Sequence, residues 1–513
     1  MSIKCTLKYT PVIHYSIHDR KGEGGLTIIK PNKILTLMVH KSLIMSKYFV
    51  WFLLAALAFS ACSEEEFGET TNIPGGGGDD DMPTDTMTTT TTPTIDDDSP
   101  QYLEFDSDYL FDQDALYTYE LIIPEENLAF LNNDPAAEEF VSGSIVFQGD
   151  TLSPVGIRYK GSIGAFVGCT SGLDWTNPSG SKTCTKLSMK IKTNWEGRED
   201  KFYGLNKLQF HSMNLDDSQM RERLGYDLFR SMGVPAPRAV HAKLIINGEY
   251  NGLFALIEQI DGRFAKENWE DDDGNIYKEA WPLTMAGAPL DEEYYKAALK
   301  TNEEEGDVTL MRNFGSDLEA AESIEEIRVV IEKYMDVQEA LAYCLVDRMI
   351  RHDDGPFHWY CDDVCTNHNY FWYEEPNEEK MHLIAWDLDN AFENIINDSN
   401  PVTPIADDFG ETSNNCQPFR YGPFFLEQWS ASCDKLIGGL ASYETEYEAL
   451  KAEFKTGAFS SAAVEEKLTK WSEQIRAATI EADELYGDAV GPGQWEANLN
   501  ELIDQVNYSR ING

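Results

Sequence analysis

The chain has 513 residues, 42% of them hydrophobic, enough for one large domain or two smaller ones with a substantial core. From Cys62 onward 33 Lys and Arg stand against 87 Asp and Glu, a formal charge of −54. That imbalance argues against a nucleic-acid partner and against adsorption to an anionic membrane, and suits a solvated surface outside the cytoplasm.

Residues 1–44 show no pattern of a folded segment and read as an over-called start or a leader. Within 45–61, Lys47, the apolar run from Tyr48 to Phe59 and then Ser60-Ala61-Cys62 have the anatomy of a secretory signal with a small-residue cleavage site. The segment resembles a bacterial lipoprotein signal, with Cys62 as the acylated first mature residue, although Phe59 stands where an aliphatic residue is usual. A membrane span is the alternative, but the apolar run falls short of the roughly 20 residues that cross a bilayer. Ser63-Glu64-Glu65-Glu66 resembles the acidic tag of surface-displayed Gram-negative lipoproteins, so the expected location is the cell envelope, on the exposed face of the outer membrane. Residues 62–100 are rich in Thr, Asp, Gly and Pro, cannot bury enough apolar area to offset chain entropy, and read as a disordered tether.

The folded region is expected over 101–513. Tyr117 to Ile123 and Ser144 to Phe147 are strand-like and flank a short helix at Glu125 to Asn132. Pro154 to Tyr159 runs into Gly161-Ser162-Ile163-Gly164, a turn whose backbone N–H groups could lie over phosphates, though an ordinary hairpin explains it as well. From Lys186 to Lys192, Leu187, Met189 and Ile191 alternate with Lys186, Ser188, Lys190 and Lys192, the pattern of a half-buried strand that could offer a lysine to a nucleotide. Asp217 or Ser218 can cap a helix with Leu224, Leu228 and Met232 on its apolar stripe and Gly233 at its end. Asn247-Gly248 between two apolar runs predicts a tight hairpin, Glu258 closes the second of those strands, and Ile276-Tyr277-Lys278 is a further short strand.

Seven cysteines follow Cys62. Six fall in local couples in polar, loop-like sequence, Cys169 with Cys184, Cys361 with Cys365, and Cys416 with Cys433, while Cys344 lies in an apolar helical run. Three disulfides and one buried thiol are expected, as an oxidising compartment allows. The rival is a zinc site of His358, Cys361, Cys365 and His368, at a spacing that fits no standard finger.

A helix through Ala340 to Ile350 leads to the polar loop Arg351-His352-Asp353-Asp354-Gly355. Met381 to Ala385 reads as a buried strand, so Asp387 and Asp389 emerge at its end, where a hard divalent cation finds oxygen ligands. The C-terminal segment reads as helices over 443–455, 462–486 and 494–509.

Asp216-Asp217-Ser218-Gln219-Met220-Arg221, Gly233-Val234-Pro235-Ala236-Pro237, Asn247-Gly248-Glu249-Tyr250, His368-Asn369-Tyr370 and Trp386-Asp387-Leu388-Asp389 occur in the order seen in the spore-coat protein H (CotH) kinase family, which the chain resembles from about 157 to 393. The resemblance implies an α+β, protein-kinase-like bilobal fold, with a β-rich N-lobe over about 101–262, a mainly helical C-lobe over about 263–513, and nucleotide between them. It implies ATP with Mg2+ or Mn2+, held by Asp387, Asp389 and Asn369, and a nucleotide site drawing on Gly161, Ser162, Lys190, Glu258 and Lys278. Asp354 would accept the proton of an attacking hydroxyl, with Asp353 as the alternative; Lys190 would meet phosphate, with Glu222 as its geometric partner. The implied activity is phosphoryl transfer to Ser or Thr of an exported protein. Rivals stand beside it: an extracellular adhesin or scaffold with a kinase-like fold whose Asp387 holds calcium structurally, a pseudokinase that binds nucleotide without transfer, and a glycosyltransferase using Asp-x-Asp with a sugar nucleotide.

Overall fold

Apolar alternation along seven strands closes the first part of the described chain into a barrel. The structure, a computed structural model, describes residues 100–513 apart from 162, 167, 175–176, 305, 362–363, 397–414 and 422–425. The signal, Cys62, the tether and Ser162 therefore lie outside the described residues. The barrel strands are β1 (Tyr117–Ile122), β2 (Val141–Phe147), β3 (Asp150–Tyr159), β4 (Met189–Lys192), β5 (Lys207–His211), β6 (Ala239–Ile246) and β7 (Glu249–Ile257), with helix α1 (Glu125–Asn133) after β1 and α2 (Arg221–Ser231) after β5. Their order is β1-β2-β3-β4-β5-β7-β6, closed by parallel pairing of β1 with β6.

Side-chain alternation divides two cores. Val240, Ala242 and Leu244 of β6, with Phe254 and Leu256 of β7, point into the barrel, whereas Leu253, Ala255 and Ile257 of β7 join Leu224, Leu228 and Phe229 of α2 in the second, larger core. Both faces of β7 are thus covered. The Asn247-Gly248 hairpin forms as expected: both turn residues take positive φ, 52° and 84°, so the turn twists with its strands.

After the barrel come β8 (Asn275–Lys278), then helices α3 (Thr309–Ala320), α4 (Ile324–Tyr334) and α5 (Val337–Met349). Strands β9 (Trp359–Cys361), β10 (Cys365–Thr366), β11 (Tyr370–Glu375), β12 (Lys380–Ala385), β13 (Phe419–Tyr421) and β14 (Leu426–Trp429) follow, then α6 (Glu444–Thr456), α7 (Ser461–Leu485) and α8 (Pro492–Asn512). They make two small sheets, β12-β11-β8 and β10-β9-β14-β13, among helices. The organisation is α+β, β-rich first and mainly helical after. Helix α7 nevertheless reaches back to the barrel: Tyr250 of β7 donates to the Ala478 carbonyl at 3.0 Å, and Lys243 of β6 pairs with Glu481 at 2.7 Å. No helix among the described residues is long and apolar enough to cross a membrane.

Three expectations need correction. Helix α2 starts at Arg221 rather than directly after a cap at Asp217 or Ser218, because Gln219 sits at φ 61° and breaks the helical path; Asp216 organises the start by accepting from the Arg221 N–H at 2.8 Å and the Ser218 N–H at 3.0 Å. After Gly161 the chain enters one helical turn, Ile163–Phe166, and not a hairpin. Cys361 and Cys365 face each other across β9 and β10 and are joined in a disulfide, so the zinc reading is excluded. Cys169–Cys184 and Cys416–Cys433 are also disulfides, and Cys344 is a buried thiol.

Candidate active site

Strand β11 runs antiparallel to both of its neighbours, so its beginning lies beside the ends of β8 and β12. Three residues meet there: Glu279 just after β8, Asn369 just before β11, and Asp387 just after β12. All three take the left-handed backbone region, at φ 55°, 59° and 57°, unusual for residues with side chains and a known mark of functional sites. The cluster holds itself together. The Asn369 N–H donates to Glu279 Oε1 at 3.1 Å and the Trp386 N–H to the Asn369 carbonyl at 3.3 Å. The Asp387 N–H donates to the buried Tyr226 hydroxyl of α2 at 3.1 Å, and its carbonyl meets His352 Nε2 at 3.1 Å.

His352 belongs to the loop after α5, and its Nδ1 lies 3.2 Å from Asp347 Oδ2. Gly355 is required by this packing, since a Cβ there would come within 2.5 Å of His352 Nδ1 and 2.8 Å of Asp347 Oδ2. The same loop separates its two aspartates. Asp353 is buried on Arg351 (3.2 Å) and Asn394 (3.1 Å), whereas Asp354 accepts from Asn369 Nδ2 at 2.7 Å and has His368 Nε2 at 3.5 Å. Oδ1 of Asp354 is buried without a hydrogen-bond partner. Burial pushes the Asp354 carboxyl up to about 6; His368 and His352 pull it down, and Asp387 and Glu279 add to the rise.

Over this edge lies the outer face of the barrel. Arg158, Lys190 and Gln209 stand opposite one another across β3, β4 and β5, and two residues further along, on the same face, come Lys160 and His211. Lys160 Nζ is 2.8 Å from Gln209 Oε1 and from His211 Nε2, and 5.3 Å from the centre of the Trp386 ring. His211 Nδ1 meets the Glu222 carboxylate of α2 at 2.9 and 3.1 Å. Barrel, α2 and strand end thus share one cluster of polar groups.

A family model described as CotH kinase protein matches residues 157–510, the span that carries every one of these groups. The chain belongs to the CotH kinase family. Among solved structures, a chain from the Shewanella oneidensis MR-1 toxin–antitoxin complex of HipA, HipB and operator DNA is similar at 10% identity and a TM-score of 0.24, with 63% of each chain covered, so less than two thirds of that chain's length is matched. No curated protein matches.

CotH membership implies ATP and a divalent metal in general. Among the described residues no group of three or more His, Cys, Asp and Glu is gathered as a metal cage. The donors fit magnesium or manganese all the same, since such ions take one or two carboxylates and leave the remaining positions to water and phosphates. Asp387 and Asp389 are two residues apart, and neither carboxylate accepts a hydrogen bond from a described residue. Burial, then Asp387, Glu222 and Asp354, hold the Asp389 carboxyl well above the usual range against the pull of Arg221. A cation there relieves that repulsion. Asn369, with Nδ2 committed to Asp354, keeps its amide oxygen as a further hard donor.

The remaining sequence-derived residues are placed as follows. Lys190 is buried on the outer face between Arg158 and Gln209. Glu222, expected to face Lys190, gives its carboxylate to His211. The Gly161 N–H donates to Glu138 Oε1 at 2.7 Å, and the Glu258 carboxylate is forked onto Arg238, at 3.0 Å to Nε and 2.5 Å to Nη2. Lys278 ends β8, next to Glu279. Sequence reasoning missed Lys160, His211, Gln209, Tyr226, His352 and Glu279. Lys160 was within reach, since it continues the Arg158-x-Lys160 alternation beyond the strand; His211 and Tyr226 carry no local signal.

Proposed function

We propose that the protein transfers the γ-phosphoryl group of ATP, with Mg2+ or Mn2+, to a Ser or Thr hydroxyl of an exported protein, from a surface anchor on the lipidated Cys62. One observation carries the reading: Asp354, with an unsatisfied buried oxygen, stands beside Asn369 at the strand edge from which Asp387 and Asp389 emerge. When bound, the metal neutralises phosphate charge as the phosphoryl group moves. Asp354 orients the acceptor hydroxyl and takes its proton on Oδ1. The hydroxyl oxygen bonds to the γ-phosphorus as the bond from that phosphorus to the β–γ bridging oxygen breaks, and ADP leaves. Asn369 and His368 hold the Asp354 carboxylate, while Tyr226 and His352 fix the backbone that aims Asp387. The three disulfides support an oxidising location outside the cytoplasm.

The test uses γ-labelled ATP with Mn2+, the full chain and envelope extracts as acceptor, comparing wild type with Asp354→Asn and Asp387→Asn. Label transferred to Ser or Thr by wild type and lost in both variants is the expected result. Nucleotide binding without transfer would make the protein a pseudokinase, and neither binding nor transfer would favour the adhesin.

A further inference from the structure

The small sheet β10-β9-β14-β13 follows the loop that carries Asp354, and its two faces differ in kind. On one face Trp359 of β9 and Trp429 of β14 stand opposite each other, rings 5.0 Å apart, in the larger core. The other face carries a row in which Thr366, Tyr360, Gln428 and Phe419 lie opposite one another across β10, β9, β14 and β13. Tyr360 is buried yet belongs to neither hydrophobic core. Its ring stacks on His358 at 4.3 Å and on His368 at 5.7 Å, and His368 Nε2 lies 3.5 Å from Asp354 Oδ1. The row thus leads to the carboxylate oxygen that is to take the acceptor's proton.

Gln428 supplies the second observation. It is 2% exposed, and its Oε1 is buried with no hydrogen-bond partner among the described residues. Leaving a buried acceptor unmade is costly, and it calls for a donor that arrives with a ligand. A polypeptide carries such donors whatever its side chains, since an extended segment has a backbone N–H about every 3.4 Å. Neighbouring strands are about 5 Å apart, so Gln428, one strand beyond Tyr360, is within reach of the residues flanking a hydroxyl held at Asp354. The row opens to solvent at both edges, where Thr366 is exposed and Phe419 half-buried.

Resting on the proposed phosphoryl transfer, we infer that the face of Thr366, Tyr360, Gln428 and Phe419 seats the acceptor polypeptide, and that Gln428 Oε1 accepts a backbone N–H of the segment flanking the acceptor hydroxyl. Gln428 reads main chain rather than side chain. It fixes where the segment lies, and the chemistry stays with Asp354.

The test uses the full chain with Mn2+ and γ-labelled ATP. The acceptors are short peptides with one central Ser and mixed flanking residues, made unmodified and with a single backbone N-methyl at each flanking position in turn. Wild type is expected to label the unmodified peptides and to lose about 10-fold in kcat/KM at one N-methylated position. Gln428→Met, of matching length, is expected to raise the peptide KM about 10-fold with kcat and the KM for ATP unchanged, and to lose the sensitivity to that N-methyl group. Because it removes an unpaired buried oxygen, it should not lower the denaturation midpoint. A lowered midpoint would mean that the protein itself satisfies Oε1, and would overturn the inference. Equal labelling at every N-methylated position by wild type, or the same N-methyl penalty in Gln428→Met as in wild type, would overturn it and leave the transfer reading standing. Labelling of envelope proteins but of no peptide would do the same. No labelling of any acceptor by wild type would remove the reading and the inference together.

Discussion

Nδ2 of Asn369 donates to Oδ2 of Asp354 at 2.7 Å, and the other carboxylate oxygen of Asp354 is buried without a hydrogen bond, with His368 Nε2 at 3.5 Å. The neighbouring aspartate does opposite work, since Asp353 is spent on the fully buried Arg351. Asp354→Asn is therefore expected to keep the fold and to lower transfer by about 100-fold or more. Asp353→Ala removes the carboxylate that faces the buried Arg351 guanidinium, leaving it on the Asn394 carbonyl at 2.8 Å, and is expected to lose about 3–5 kcal/mol of stability. Urea unfolding and transfer assays on the two variants distinguish the roles; the reverse assignment would show as inactivity in a stable Asp353 variant.

Asp387 owes its left-handed backbone to Tyr226 on one side and His352 on the other. Asn tolerates that conformation well, so Asp387→Asn isolates the loss of charge and should weaken Mn2+ binding with little change in stability. Tyr226→Phe keeps the ring and removes the acceptor of the Asp387 N–H, at an expected cost of about 1–3 kcal/mol together with weaker metal binding. Denaturation midpoints and Mn2+ titrations followed by electron paramagnetic resonance report both quantities.

His241 gives a pH test away from the site. Its Nδ1 accepts from Arg223 at 2.8 Å and its Nε2 donates to the Gln219 carbonyl at 2.6 Å; burial first, then the Arg223 charge, lower its pKa to about 3. Between about pH 6.5 and 3 the unfolded chain takes up a proton there that the folded chain refuses, so this contribution to stability is whole above pH 6.5 and falls on acidification. Between pH 7 and pH 5 wild type should lose about 2 kcal/mol that His241→Gln does not, read as the difference in their denaturation curves.

Cys169 and Cys184 close a loop with a sequence separation of 15 beside the turn that follows β3. Replacing both by Ser is expected to cost about 3 kcal/mol through the freed unfolded chain. Parallel denaturation of the double variant and wild type under non-reducing conditions measures it.

Six of the seven barrel strands, the hairpin at Asn247-Gly248 and the α5 helix were legible because burial alternates with the period of each element, and because a two-residue turn has few solutions; β5 (Lys207–His211) was not. Asp387 and Asn369 were legible through short ordered motifs. The face that meets them was not, since Lys160, just after β3, meets Gln209 and His211 of β5 at sequence separations of 49 and 51 only because β4 pairs with both strands. Lys190 illustrates the limit: alternation places it on the correct face but cannot tell which lysine along that face reaches the strand end. Composition favours a cap at Asp217 or Ser218, two or three residues before the observed Met220, whereas Gln219 takes a left-handed turn that no propensity shows.

The fastening of α7 and α8 bears on how the cleft admits its ligand. Thr479 donates to Gln219 at 2.8 Å, Trp495 to the Ser218 carbonyl at 3.0 Å, and Ser509 to the Met349 carbonyl at 2.5 Å, so one continuous helical pair is sewn to the barrel side, to the approach to α2 and to the end of α5. Any relative movement of these elements requires those side chains to let go together.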